Sequence, residues 1–325
     1  MVLAVRVALM IEGQEGVTWE EWVALAEACE EHGFDALFRS DHYLSFGHPT
    51  EWGTLDAWTT LAGLAPKTER IRLGTLVSPI TFRHPSALAK SVVTVDHISG
   101  GRVELGMGGG WFEREHRAYG FDFPSNRERI DRLAEQVEIV HRLWDRDEDE
   151  VTFDGAHYHL EAVPALPKPL QEPHPPLIIG GMGGPRTLAL AARWADEYNT
   201  HNQPPEQLRE LRSRLEEACE RVDRDPSSLP LSLMTGTLIG SDQADLEARA
   251  ARLMARTGQG DGDPSAFLAG RRPGEITGTV ELALQQLAAF AEAGVTRVMM
   301  QHLDHQDLDF VALVGHDVVP EAAAL

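Results

Sequence analysis

Cysteine is scarce: the 325 residues hold two, Cys29 and Cys219, both in helical-looking stretches. Two isolated cysteines build no disulfide framework, so a reducing compartment is expected. Long apolar runs are missing. No stretch approaches the roughly 18 apolar residues of a spanning helix. Met1 to Arg6 carry no basic region leading into an apolar core and cleavage site. The expectation is a cytoplasmic protein with no membrane partner. Positive charge is in deficit, with 29 Lys and Arg against 51 Asp and Glu, a formal net charge of −22. Such a field repels nucleic acid and anionic membrane surfaces, which argues against both as partners. An anionic cofactor would have to be caught by local dipoles and a few arginines. A Gly-x-Ser-x-Gly elbow and a phosphate-binding P-loop are absent as well.

What is present is a rhythm. Apolar residues make up 42% and charged residues 25% of the chain, an ordinary globular balance, and this length buries a large core without cross-links. Eight short strand-like runs recur: Val5 to Ile11, Ala36 to Ser40, Ile71 to Val77, Val103 to Met107, Leu177 to Gly180, Glu197 to Thr200, Leu231 to Ile239 and Val295 to Gln301. Several are apolar almost throughout, as parallel strands covered on both faces must be. Between them lie amphipathic helical stretches. Trp22, Leu25, Ala26 and Cys29 share a face, as do Leu88, Val92 and Val95. Ile130, Leu133, Val137, Val140 and Trp144 repeat the spacing, and so do Val280, Leu284, Leu287 and Ala291. Alternating strands and helices imply a parallel sheet with right-handed crossovers. Eight units predict a (β/α)8 TIM barrel spanning residues 1–325 as one domain. A doubly wound open sheet is the structural alternative.

Two insertion segments break the rhythm. Residues 151–176 hold a hairpin signal at Asp154-Gly155 and then the proline-rich Pro164 to Pro176. Residues 257–278, rich in Gly, Asp and Pro, read as a mobile loop. Either is a candidate lid over the barrel mouth. The acidic run Asp145 to Glu150 reads as a solvated helix end. His157 and His159 would share one strand face, but no carboxylate cluster completes a metal set there or at His302 and His305, so no metal is expected.

In such a barrel chemistry sits where strands end. After the second strand come Asp41 and His42, either a polar pair touching a bound ring or a loop cap with a structural histidine. After the third come Arg83, His84 and Pro85, with Pro85 placed to start a helix. After the fourth, Gly106, Gly108, Gly109 and Gly110 let backbone approach a ligand closely. The run fits a dinucleotide fingerprint poorly, since the first strand leads into Glu12-Gly13-Gln14 instead. After the fifth, Gly180, Gly181, Gly183 and Gly184 precede Pro185, Arg186 and Thr187 at a helix start. Free amides and the helix dipole make that turn a candidate phosphate site, or else a plain tight turn.

Taken in order, these segments resemble the luciferase-like flavin-utilising monooxygenase superfamily, and more closely its actinobacterial coenzyme F420-dependent oxidoreductase branch. The matching stretches are Ser40-Asp41-His42, Leu73-Gly74-Thr75 through Arg83, Ser99 through Gly106, Gly110-Trp111, Glu115 through Gly120, Pro167 through Leu170, and Gly183-Gly184-Pro185 with Ala195-Asp196. The resemblance implies a cofactor ring across the mouth, with Asp41 and His42 at its redox edge. It implies a bulge at Leu76–Val77, often a non-prolyl cis peptide, behind the ring. Gly108, Gly109 and Gly110 would line the ring or its side chain. Gly181, Gly183 and Gly184, with Arg186, would hold the phosphate. In the branch's sugar-phosphate dehydrogenases an acidic residue follows the glycine run; here Trp111 stands there, which puts a sugar-phosphate substrate in doubt. Glu113, Glu115 and His116 are candidates to replace it, with Glu113 grouped with Asp41 and His42 as catalytic. The implied activity is hydride transfer between F420 and a small organic substrate by a homodimer. A reduced-FMN monooxygenase is the alternative, and a non-catalytic ligand-binding barrel is the second.

Overall fold

The computed structural model describes residues 4–48, 50–260 and 262–325. Met1 to Leu3 of the N-terminal segment, Pro49, and Asp261 of the expected 257–278 loop lie outside the described residues. Eight parallel strands close on themselves: β1 (Arg6–Ile11), β2 (Ala36–Arg39), β3 (Arg72–Pro79), β4 (Val103–Gly108), β5 (Leu177–Gly180), β6 (Glu197–His201), β7 (Leu231–Gly240) and β8 (Val295–Gln301). Each pairs with the next, and β8 returns to β1 with Arg6 opposite Arg297. That closure establishes the (β/α)8 barrel and removes the open-sheet alternative.

The strands are apolar on both faces because each serves two cores. Ala8, Met10, Phe38, Leu76, Ile178 and Met299 fill the barrel interior. Val7, Leu9, Leu37, Leu73, Leu105 and Leu177 face the helices in a larger outer core. The helices start and stop where local chemistry dictates. Trp19–Glu31 begins on a capping box between Thr18 and Glu21 and buries Trp22, Leu25, Ala26 and Cys29. Pro85–Ser99 begins with His84 as its cap and ends at Gly100, whose φ of 68° suits glycine.

The N-terminal end of the barrel is closed by charge. Arg297, 1% exposed, reaches Asp35 at 2.7 Å, Glu104 at 2.8 Å and Glu197 at 3.4 Å. Arg72 also binds Glu104. Burial opposes ionisation of Glu104, but Arg297 and Arg72 outweigh it and hold the carboxyl well below its usual range. With that end plugged, function is left to the opposite mouth.

Both insertions are more ordered than their composition suggests. Glu150–Asp154 and His159–Pro164 form the expected hairpin, and Glu135 of the helix Asn126–Trp144 accepts the backbone amides of Ala156, His157 and Tyr158 in its turn. The hairpin therefore lies along that helix. His157 sits in the turn rather than sharing a strand face with His159. Within 257–278, Pro264–Ala269 is a short helix and Ile276–Thr279 is a strand that extends the sheet beside Thr237–Gly240 of β7. The expectation of an irregular loop fails there because β7 runs on past the barrel rim and offers a free edge.

Candidate active site

The backbone leaving β2 turns the buried Ser40 and Asp41 inward and sets His42 at the mouth. Asp41 Oδ2 accepts from Ser78 Oγ at 2.7 Å and from Arg83 Nη1 at 2.5 Å. Arg83 continues to Asp56 at 2.6 Å and to Tyr43 Oη at 3.1 Å. This chain ties the β2 loop to the β3 loop. Among the described residues Asp41 Oδ1 has no partner.

His42 is held by a residue from the β4 loop. Its Nδ1 lies 2.8 Å from Glu115 Oε2. The other oxygen of Glu115 accepts the amide of Leu44 at 2.9 Å and that of Tyr43. A fully buried carboxylate taking three donors fixes both the ring and the loop that carries it. Burial pulls the imidazolium pKa down, but the hydrogen bond and charge of Glu115, with Glu12 and Asp41, win, and the net shift is upward. With Nδ1 committed, Nε2 is the nitrogen left for a ligand.

Glu12, directly after β1, is a second buried acid at the mouth, 7% exposed. It accepts from Gln301 at 2.5 Å and Gln14 at 2.9 Å, and Gln14 in turn accepts from Ser40 at 2.5 Å. Its partners are amides, and its charge acts on both His42 and His201. Burial lowers the His201 pKa against that pull.

Glu113 does not join this group. It is half-exposed on its short helix and pairs with Arg117 at 2.6 Å. Two residues further along the same helix, Glu115 faces inward. His116 is also buried, but its ring is spent on Thr81 Oγ1 at 2.7 Å and the Phe112 carbonyl at 2.8 Å.

The Leu76–Val77 peptide is cis. The glycines around it give its side chain room. A Cβ on Gly108 would stand 2.6 Å from Val77 Cγ2, and one on Gly180 3.0 Å from Val77 Cγ1. Gly109 and Gly110 continue to the rim beside Ile130 and Thr81.

The turn after β5 is less free than its composition suggests. The amide of Gly181 donates to Asn199 O at 2.9 Å, and that of Gly183 to Tyr198 Oη at 2.8 Å. What stays open is the start of the helix Pro185–Trp194: Gly184 is exposed and no side chain caps it. Arg186 points away, to Asp131 and the Arg127 carbonyl.

The C-terminal mouth, where enzymes of the (β/α)8 fold carry their active sites, here holds the His42–Glu115 pair. The family model for luciferase-like monooxygenase matches residues 1–317, and the chain belongs to that family. An F420-dependent glucose-6-phosphate dehydrogenase of Nakamurella multipartita is 30% identical over 325 residues, covering 94% of this chain and 93% of its own. Among solved structures, an F420-dependent secondary alcohol dehydrogenase in complex with an F420–acetone adduct superposes with a TM-score of 0.81, at 21% identity, over 98% of this chain and 99% of its own. A monooxygenase from Streptomyces bottropensis gives 0.81 at 22% identity, over 97% and 99%. At such identities these two matches speak for the fold alone.

Proposed function

We propose that this chain is a single-domain, F420-dependent oxidoreductase that exchanges a hydride between the deazaflavin and a small organic substrate. The observation that carries it is His42, locked through Nδ1 by a buried Glu115 with Nε2 left over, on a chain whose relative over nearly its full length is named F420-dependent.

The residues present fit such a cofactor. Gly108 and Gly180 make room for the Val77 side chain, and Gly109 and Gly110 carry bare backbone on to the rim beside Ile130 and Thr81. The uncapped start of Pro185–Trp194, through the amides of Gly184, Arg186 and Thr187, suits a phosphate. Asp41 Oδ1 would meet the ring, while Leu76 and Val77 would back it. The bound deazaflavin supplies or accepts the hydride. His42 Nε2 moves the accompanying proton to or from the substrate oxygen, and Glu115 keeps the imidazole oriented and favours its protonated form. Glu12 adds negative charge beside that proton.

We also read the protein as cytoplasmic, supported by two free, buried cysteines, and as a homodimer, supported by the family likeness alone. Titrating the purified protein with F420 and following cofactor fluorescence tests the main reading. Saturable binding at micromolar F420, tighter than FMN, supports it. Tighter FMN binding with oxygen-dependent turnover would move the chain to the monooxygenase reading instead.

A further inference from the structure

We infer that the mouth takes a flat, uncharged aromatic substrate, seated against Trp111 and Phe46 beside His42, and not a phosphorylated one; this rests on the reading of the mouth as a redox site. Trp111 is 63% exposed and Phe46 38% exposed. A tryptophan and a phenylalanine left bare at the same rim are a ligand surface in search of a face. Their ring centroids are 5.2 Å apart, and Phe112 lies 5.2 Å from each. All three surround the imidazole of His42, at 5.1 Å for Phe46, 5.8 Å for Trp111 and 6.2 Å for Phe112. A ring stacked on this rim stands next to the proton-handling group.

The loops that carry the rings are tied down by hydrogen bonds. Glu15 accepts the Phe46 amide at 2.9 Å and the Ser45 hydroxyl at 2.7 Å, which pins the β2 loop. The Phe112 carbonyl is held by His116 Nδ1 at 2.8 Å.

Charge argues against an anion. Glu12 and Glu115 are buried beside His42, and Glu15 sits under Phe46. Three arginines of the surrounding loops are already engaged, while Arg114 is exposed at the start of the helix after Trp111. Arg83 serves Asp41 and Asp56, Arg39 binds Thr54 and the Leu55 carbonyl, and Arg256 stacks over Trp52 and binds the Glu15 carbonyl. A phosphate seated against Trp111 and Phe46 would face the carboxylates of Glu12, Glu15 and Glu115.

The test is calorimetric titration with 2-naphthol and, separately, with glucose 6-phosphate, each with and without saturating F420. The expected result is saturable naphthol binding and none by the sugar phosphate. Trp111→Ala and Phe46→Ala each weaken naphthol roughly tenfold, and Trp111→Phe restores most of the loss. An unchanged dissociation constant in Trp111→Ala, or sugar-phosphate binding in place of naphthol, overturns the inference. Cofactor binding, read from F420 fluorescence in the same samples, separates the two levels. F420 binding without naphthol binding rejects the substrate class alone. Failure to bind F420 rejects the parent reading, while naphthol binding to the protein alone still decides the platform.

Discussion

Glu115 Oε2 and His42 Nδ1 meet at 2.8 Å across the loops that follow β4 and β2. One carboxylate thereby aligns the imidazole, raises its affinity for a proton and anchors the amides of Tyr43 and Leu44.

Replacing Glu115 with Gln removes the charge and keeps the shape. The His42 pKa falls, and the pH–rate limb it controls moves to lower pH. Imidazole proton or carbon shifts in an NMR titration report the first, and turnover against pH the second. Glu115→Ala strands three buried donors and costs about 3 kcal/mol of stability by denaturant titration. His42→Ala lowers turnover about 10²–10⁴-fold while leaving the barrel folded.

Acid sensitivity is built into the loop after β8. His302 lies flat on Phe310, ring centroids 4.2 Å apart. Burial pushes its pKa down to about 4, and that of His305 likewise. Below their ordinary pKa the unfolded chain binds protons that the folded one refuses. Stability is therefore full above about pH 6.5 and falls as pH drops toward 4, by on the order of 3 kcal/mol for His302. Glu104 adds a lower window. Its depressed pKa gives stability that is present above its unfolded value and lost as pH falls through the folded one. His302→Gln flattens the upper window when stability is measured against pH; an unchanged slope there excludes the assignment.

Gly108 and Val77 are coupled through space. Gly108→Ala brings a methyl to 2.6 Å from Val77 Cγ2 and destabilises by about 1–3 kcal/mol, with weaker F420 binding. Val77→Ala in the same chain relieves the clash, so the double-mutant cycle gives a favourable coupling energy. Additive effects would mean that the two side chains do not compete for this space.

The barrel was legible because its strands carry apolar residues on both faces and four of them end at glycine or proline. Asp41, His42 and the glycine runs lie just past those ends, which is what made them candidates. Glu113 and Glu115 show where sequence stops. Residues two apart on a helix point roughly 200° apart, and the rotation of Glu113–Tyr119 about its axis turns Glu115 and His116 inward. Glu12 directly follows β1, so its position was the available signal. Its role depends on Gln14 and Gln301, partners from its own loop and from the far end of the chain. The Ile276–Thr279 strand stayed hidden because Thr-Gly-Thr within a Gly- and Pro-rich stretch reads as loop until the long β7 edge is known.

The most direct test follows the His42 imidazole by NMR while F420 is added. The account predicts a shift in the His42 resonances that saturates at one cofactor per chain, together with a changed titration midpoint. F420 binding that leaves the His42 resonances and their midpoint untouched would contradict it.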